Sequence, residues 1–319
     1  MRYFTSEALA PTVASAGAVP IGYGAAVGPA VMRPPRSFSA LARETLALGE
    51  AVLEGVLDEL RADEPDLVIY DSMCTWGYEA VEHRRGFCFT ATVALDPSFV
   101  DDAPPEFMHR GEHPTAVFTS RAFQPSPERF GGDLRWVGYP PAAVSAVSAV
   151  SAVSAAQPRT YAYAALGTLF NERPEVFRAV AEAIGGDLVM AVGRADLDAI
   201  GRLPPGVHVV RWVDDQAEVL RRARLFASHG GMNSVSEALV AGTPLLVLPQ
   251  TAEQRVNARR IAELGAGRVL FDEHPTPDRL RAEAEAVLAS DAAVRAAELG
   301  RTLVAPGAEA AADAVEAAL

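Results

Sequence analysis

One segment decides how this chain folds, and it reads His229-Gly230-Gly231-Met232-Asn233-Ser234-Val235-Ser236-Glu237. It follows an apolar run at residues 225–227, which predicts a buried strand, and it opens a helix predicted over residues 234–241. Two glycines let the backbone approach a ligand closely, and the free amides at the start of a helix favour an anion. The segment therefore predicts a turn that binds a phosphate or a diphosphate.

The alternative for this segment is a helix cap without a ligand. Ser234 and Glu237 have the spacing of a capping box, which explains these two residues but not His229 before a double glycine. A second polar turn lies at residues 249–254, after the next predicted strand. There Glu253 and Gln254 place a carboxylate beside an amide, which suits a ligand rich in hydroxyl groups. For this turn, a capped helix with solvated polar residues is the alternative.

Around these turns, the second half of the chain alternates strands and helices. Strands are predicted at residues 161–166, 188–192, 207–211, 225–227, 245–248 and 268–270, and helices at residues 174–184, 216–223, 234–241, 253–264, 277–288 and 308–319. Such alternation implies right-handed crossovers and a parallel, doubly wound α/β sheet. A ligand is expected at the carboxyl ends of its strands.

The first half has the same kind of pattern with shorter elements. Strands are predicted at residues 2–5, 19–23, 67–70, 87–90, 115–118 and 135–137, and helices at residues 6–16 and 39–61. Between the halves, Ala-Val-Ser repeats with a period of three, which matches neither a helix nor a strand. The sequence thus predicts two Rossmann-like domains, residues 1–141 and 158–319, that face each other across a cleft and are joined by a linker at residues 142–157.

Length and charge limit the classes of function. The 319 residues suffice for two domains, each with its own core. A net charge of −13 argues against general nucleic-acid or anionic-membrane binding, which depends on basic surfaces. The sequence has two cysteines, no charged-then-apolar leader and no apolar run as long as a membrane span. We therefore expect a cytoplasmic protein with reduced thiols.

The motifs of the second half, taken in order, resemble those of family 1 glycosyltransferases. These enzymes use nucleotide sugars, modify macrolides and other small molecules, and have the GT-B fold of two Rossmann-like domains. Residues 229–265 are similar to the donor-binding signature of the family, and the match continues over nearly all of residues 158–319. Ala165-Leu166-Gly167-Thr168 resembles the first strand and turn of the donor domain. Arg211-Trp212-Val213, with Gln216 nearby, resembles the element that stacks the nucleotide base.

The resemblance implies a role for each matching residue. The donor diphosphate would be held by His229, Gly230, Gly231, Asn233, Ser234 and Thr168. The nucleoside would be held by Trp212, which stacks on the base, by Glu237, which takes the ribose hydroxyls, and by Val213 and Gln216. The sugar hydroxyls would be held by Glu253 and Gln254.

In the first half, residues 65–71 resemble the family strand that ends in a catalytic acidic residue, here Asp71. In the family this carboxylate orients a histidine base, as the aspartate of a catalytic triad does. The alternative for Asp71 is the cap of the following helix. The family's first strand and its Gly-His turn have no counterpart in this sequence, so we expect a first domain truncated at its start and assign no residue as the base.

Two interpretations of that departure stay open. The chain is either a non-catalytic nucleotide-sugar-binding paralogue or auxiliary partner of a full-length glycosyltransferase, or its start was assigned too late. Residues 109–113 match the zinc motif H-x-x-E-H, but they do not supply the missing catalytic base. Gly111 within the motif and Pro114 after it oppose the helix that the motif requires, and a solvated loop is expected.

By resemblance, the reaction moves a sugar from a nucleotide-diphosphate donor, with uridine or thymidine as the nucleoside, to a hydroxyl of a hydrophobic small molecule such as a macrolide aglycone. It inverts the anomeric carbon and needs neither a metal ion nor another cofactor. The implied partners are the donor and the acceptor, with no nucleic acid and no membrane, and the family allows a homodimer.

Overall fold

The structure is a computed structural model of the whole chain. It describes residues 1–23, 38–95, 99, 111–131, 133–139, 159–168, 171–304 and 307–319. The predicted linker at residues 142–157 lies outside the described residues. Among the helices of the described ranges, none is both long enough and apolar enough to cross a membrane.

The first half forms parallel strands in two groups. In chain order its elements are β1 (Arg2–Thr5), α1 (Ala10–Ser15), β2 (Val19–Gly22), α2 (Phe38–Asp63), β3 (Val68–Asp71), α3 (Thr75–Ala80), β4 (Gly86–Thr90), β5 (Thr115–Val117) and β6 (Leu134–Trp136). Short 3₁₀ turns lie at Glu7–Leu9 and Pro127–Arg129. Strands β1 and β2 pair with each other, and β3 to β6 form a four-stranded sheet in chain order. All of these pairs are parallel, as predicted.

The second half is one six-stranded parallel sheet with helices on both faces. Its elements are β7 (Tyr161–Ala165), α4 (Pro174–Ile184), β8 (Leu188–Ala191), α5 (Leu197–Ile200), β9 (Val207–Val210), α6 (Gln216–Arg222), β10 (Ala223–Ser228), α7 (Met232–Val240), β11 (Leu245–Val247), α8 (Ala252–Glu263), β12 (Gly267–Val269), α9 (Pro277–Leu288), α10 (Ala292–Leu303) and α11 (Gly307–Glu316). The strand order is β12-β11-β10-β7-β8-β9, which is the Rossmann order.

This strand order fixes where a ligand can bind. The chain runs outward from β7 in one direction through β8 and β9, then returns to β10 on the other side of β7. In such sheets the crevice lies where the order reverses, beyond the carboxyl ends of the two central strands. Here these ends are Ala165 of β7 and Ser228 of β10, which pair directly. The turns that follow them are Leu166-Gly167-Thr168 and His229-Gly230.

The two halves share a hydrophobic core. Val93, Leu95 and Phe123 of the first half are buried among the side chains of β7, β10, α7 and α8. The Arg260 guanidinium of α8 donates to the carbonyls of Ala122 and Phe123, at 2.8 and 2.9 Å. The last helix of the second half, α11, likewise packs its alanine-rich face against β4 and β5 of the first half. The two halves are therefore packed against each other through side chains of both.

Two helices differ from the sequence-based expectation. The short α5 and the longer α10 were not predicted, and α10 consists mainly of small residues. It packs closely on α7, where Gly300 lies against the carbonyl of Leu239. The helix after the glycine turn begins at Met232, two residues before the predicted start. The other predicted elements with described residues are confirmed, with shifts of a few residues at their ends.

We expect Gly300→Ala to lower the free energy of unfolding by about 2 kcal/mol, because overpacking a tight helix contact costs this order. A Cβ at Gly300 would lie 2.1 Å from the Leu239 carbonyl oxygen, which is backbone and has little freedom to move. The matched control is Gly55→Ala in α2, where a Cβ meets no atom within 4 Å. That change should stabilise by about 0.5 kcal/mol through helix propensity. Urea unfolding of both variants tests the difference, and equal midpoints would contradict it.

Candidate functional site

The imidazole of His229 is enclosed between two glycine backbones. A Cβ added to Gly167 would lie 2.5 Å from Nε2 of His229, and one added to Gly231 would lie 2.4 Å from the same atom. Gly167 has a φ of +77° and Gly230 a φ of +85°, a backbone conformation that favours glycine. The turns after β7 and β10 thus use glycines both for their shape and to make room for this ring.

Burial makes His229 a neutral side chain. It lowers the pKa of His229 from 6.5 to about 4, while a hydrogen bond with the Ala165 backbone acts in the opposite direction. Its Nδ1 is buried and has no hydrogen-bond partner within the described ranges. A neutral imidazole carries one N–H donor, and it can donate to a phosphate oxygen without a charge of its own.

The start of α7 has no side-chain cap. Gly231 is the residue before its first turn, with φ −63° and ψ 137°, and no side chain bonds to the free amides. The capping-box alternative is therefore wrong. Ser234 instead accepts a hydrogen bond from Nε2 of Gln216 at 3.2 Å, and Glu237 is bonded elsewhere. The amides of this nine-residue helix are left to bind an anion beside His229.

Glu237 belongs to a polar network next to that turn. Its Oε2 accepts from Nε2 of Gln216 at 2.6 Å, and its Oε1 accepts from the hydroxyl of Tyr139 at 3.1 Å. The hydroxyl of Tyr163 donates to Oε1 of the same glutamine at 3.1 Å. Gln216 and Glu237, which the resemblance assigned to one subsite, are thus brought together. Tyr139 and Tyr163 were not predicted, because no local pattern links them to residues 53 to 98 positions away.

The predicted stacking residue, Trp212, lies in the loop after β9 with its side chain 51% exposed. The loop is held in place by Arg211, whose guanidinium donates to the carbonyls of Gly193 and Ala195 at 3.0 and 2.5 Å. An exposed tryptophan on a fixed loop offers a flat surface to a planar ring. Val213, the next residue, is half-buried.

At the turn before α8, Glu253 and Gln254 make different kinds of hydrogen bond. Gln254 forms a capping box with Thr251, and its Oε1 accepts the N–H groups of Gln250 and Thr251. The capped-helix alternative is therefore confirmed for Gln254. Glu253 accepts instead from the Thr92 hydroxyl at 2.8 Å and from Nδ2 of Asn257 at 2.6 Å. Its carboxylate is therefore held by two hydrogen bonds and is not a freely solvated surface group.

Asp71 ends β3 and is half-buried. Its Oδ1 accepts the N–H of Met73 at 2.7 Å, which is a turn-forming bond. The helix cap proposed as the alternative is wrong, because α3 begins only at Thr75 and Cys74 precedes it. Burial raises the pKa of Asp71, and the bond from Met73 opposes this. Among the described residues, no histidine hydrogen-bonds to this carboxylate.

A small cleft, partly open to solvent, lies at the carboxyl ends of β3, β4 and β5. Tyr70, Tyr78 and His113 line it and contact one another edge to face. Nδ1 of His113 is 3.0 Å from the Tyr70 hydroxyl. Of the H-x-x-E-H motif, His109 and Arg110 lie outside the described residues, and the described part of the chain holds no cluster of metal ligands. Thr92 also lines the cleft, and its hydroxyl donates to Glu253 of the second half.

For three residues predicted to bind the diphosphate, the structure shows no side-chain contact that indicates a role. Thr168 follows Gly167 and is exposed, and Asn233 is exposed on the first turn of α7. Gly230 donates its N–H to the hydroxyl of Ser228 at 3.1 Å, which fixes the turn. Their roles toward a ligand stay predictions.

Comparison with known proteins gives consistent matches. Residues 175–312 match the model of the erythromycin biosynthesis protein CIII-like C-terminal domain. The chain is 30% identical to the NDP-glycosyltransferase YjiC of Bacillus licheniformis, over 91% of this chain and 82% of that protein. It is 34% identical to the demethyllactenocin mycarosyltransferase of Streptomyces fradiae, over 56% of this chain and 39% of the relative.

Solved structures agree over the whole chain. The calicheamicin glycosyltransferase CalG4 superposes with a TM-score of 0.74 and 26% identity, covering 100% of this chain and 90% of its own. The glycosyltransferase of kitacinnamycin superposes with a TM-score of 0.77 and 23% identity, covering 100% and 91%.

Proposed function

Because this chain belongs to the family 1 glycosyltransferases of the natural-product type, with the GT-B fold, we propose that it transfers a sugar from a nucleoside diphosphate to a hydroxyl of a hydrophobic small molecule. The reaction inverts the anomeric carbon and uses no metal ion or other cofactor. The observation that supports this best is the neutral His229, enclosed by Gly167 and Gly231 beside an uncapped helix start.

The chemistry of this turn suits a departing diphosphate. As the bond between sugar and phosphate breaks, negative charge grows on the leaving oxygen. Fixed donors that need no reorganisation lower the free energy of that state most. The amides at the start of α7 and the N–H of His229 are such donors, with Gly230, Asn233, Ser234 and Thr168 around them.

The remaining subsites follow from the polar networks. The nucleoside would stack on Trp212, beside Val213, and give its ribose hydroxyls to Glu237, which Gln216 orients. The sugar hydroxyls would be taken by Glu253, with Gln254 at the turn. The acceptor would lie in the cleft of the first half, near Asp71.

Relatives suggest the class of both substrates. They include the oleandomycin glycosyltransferase of Streptomyces antibioticus, so we infer a macrolide or another natural-product aglycone as the acceptor. Spinosyn and VinC glycosyltransferases of the same fold were solved with thymidine diphosphate, and other relatives are described as UDP-glucosyltransferases. We therefore propose thymidine or uridine as the nucleoside. These relatives are transferases and give the non-catalytic alternative no support. Free cysteines at positions 74 and 88 favour the cytoplasm as the place of the reaction.

Calorimetry with UDP and TDP tests the proposal. We expect one of them to bind to the wild-type protein, and Trp212→Ala to bind it about tenfold more weakly, since stacking on an aromatic ring contributes this order of affinity. Trp212→Phe, which keeps a flat ring, is the control and should bind nearly as the wild type does. Absence of binding for both nucleotides would refute the proposed function.

A further inference from the structure

The carboxylate of Glu253 is fixed at one oxygen and open at the other. Its Oε1 accepts two hydrogen bonds, from Oγ1 of Thr92 at 2.8 Å and from Nδ2 of Asn257 at 2.6 Å. Its Oε2 makes no hydrogen bond within the described part of the chain. Two donors on one oxygen set the plane of the carboxylate and leave the second oxygen as an acceptor for a ligand.

Asn257 ties this carboxylate to the glycine turn. The side chain is fully buried, and its Nδ2 also donates to the carbonyl of Gly230 at 2.9 Å. One amide nitrogen therefore bridges the turn next to His229 and the carboxylate of Glu253. Its Oδ1 is buried without a partner among the described residues. The glycine turn and the carboxylate of Glu253 are thus separated by one amide nitrogen. A sugar attached to a phosphate bound at this turn would lie near Glu253.

Thr92 comes from the other half of the chain, 161 positions before Glu253. It lies in the segment after β4, whose course is fixed on both sides. Val93 and Leu95 are buried in the core of the second half, and Ala94 exchanges two hydrogen bonds with the side chain of Gln124. The hydroxyl of Thr92 is thus presented to Glu253 by a rigid segment.

We propose that Thr92 is a positioning residue of the sugar subsite: it holds Oε1 of Glu253, so that Oε2 accepts from a hydroxyl of the donor sugar. The subsite is then complete only when both halves are packed together, since the acceptor half supplies the hydroxyl that orients a donor-half carboxylate. This inference rests on the proposed function, because it concerns the same donor.

The ionisation of Glu253 gives a second readout. Burial raises the pKa of Glu253, while the bonds from Thr92 and Asn257 lower it. No charged group of the described residues contributes to this shift. Loss of the Thr92 hydroxyl should therefore raise the pKa of Glu253 further. When the pH is lowered, the affinity for a sugar nucleotide should then begin to fall at a higher pH in the variant than in the wild type.

The test compares each nucleoside diphosphate with its glucose conjugate, by calorimetry with TDP, TDP-glucose, UDP and UDP-glucose. Thr92→Val keeps the shape of the side chain but removes the donor, and Thr92→Ser keeps the donor. In Thr92→Val we expect the ratio of the two Kd values, sugar nucleotide over nucleoside diphosphate, to rise about tenfold. Thr92→Ser should keep the wild-type ratio.

The outcomes separate this inference from the proposed function. If the wild type binds a nucleoside diphosphate and the ratio is the same in Thr92→Val, or if both affinities fall together, the role of Thr92 is overturned while the proposed function stands. If the wild type binds neither nucleoside diphosphate, the proposed function itself fails.

Discussion

A Gly231→Ala variant should bind its nucleoside diphosphate about 10- to 100-fold more weakly than the wild-type protein, because a hydrogen bond to a charged oxygen contributes about 1.5–3 kcal/mol. The backbone at Gly231, with φ −63° and ψ 137°, accepts alanine without strain. The loss would come from the new Cβ, which would lie 2.4 Å from Nε2 of His229. A Cβ on Gly167 would also lie close to this atom, at 2.5 Å, so both glycines leave little space around the ring.

A double-mutant cycle identifies the ring as the cause. His229→Ala should weaken binding by a similar factor, and adding Gly231→Ala to it should change little further, because the contact has been removed. Gly131→Ala is the control for the substitution itself, since a Cβ there meets no atom within 4 Å. Independent, additive losses in the cycle would contradict a shared cause, as would unchanged binding in Gly231→Ala.

The donor side of the cleft contains two carboxylates, and each is held by a hydroxyl from outside the donor sheet. Tyr139 donates to Glu237 and Thr92 donates to Glu253, across 98 and 161 positions of sequence. A donor nucleotide brings hydroxyl groups of its own to the same carboxylates. Packing of the first half on the second therefore prepares both acceptors before the nucleotide arrives, which lowers the cost of ordering them on binding.

These two contacts also show what sequence could and could not provide. Strands and helices repeat locally, so their succession along the chain, and a ligand site at the carboxyl ends of the strands, followed from apolar patterns and glycines. The order of the strands in the sheet, and with it the switch point between β7 and β10, is known only from the structure. The partners of Glu237 and Glu253 depend on how distant segments pack, and a tyrosine or threonine in a loop carries no local sign of that. The spacing of Ser234 and Glu237 even suggested a capping box, which the network around Gln216 replaces.

The first half was less predictable for a related reason. Its cleft is lined by Tyr70 and His113, which are 43 positions apart in sequence and lie within hydrogen-bond distance. The zinc-like motif around His113 gave no indication of this contact. Asp71 was singled out by the resemblance of residues 65–71 to a strand of the family, whereas its turn-forming bond with the N–H of Met73 was not predicted. Local patterns locate chemical groups, whereas their partners are set by tertiary packing.

The buried state of His229 should appear in the pH dependence of stability. In the unfolded chain the imidazole takes up a proton near pH 6.5, whereas in the folded protein its pKa is lowered to about 4. Between these values the unfolded state binds more protons, so the free energy of unfolding must fall as the pH falls. From pH 7.5 to pH 4.5 this one residue should account for a loss on the order of 2 kcal/mol.

His229→Gln isolates that contribution, because glutamine does not titrate. Burial raises the pKa of Glu253 and of Asp71, which gives an effect of opposite sign, but it is common to both proteins and cancels in the comparison. Urea unfolding at pH 7.5 and pH 4.5 should therefore show a larger loss of stability in the wild type than in the variant, on the order of 2 kcal/mol. If the two proteins lose stability equally, His229 is not held neutral in the folded state, and its role as an uncharged donor to phosphate would have to be abandoned.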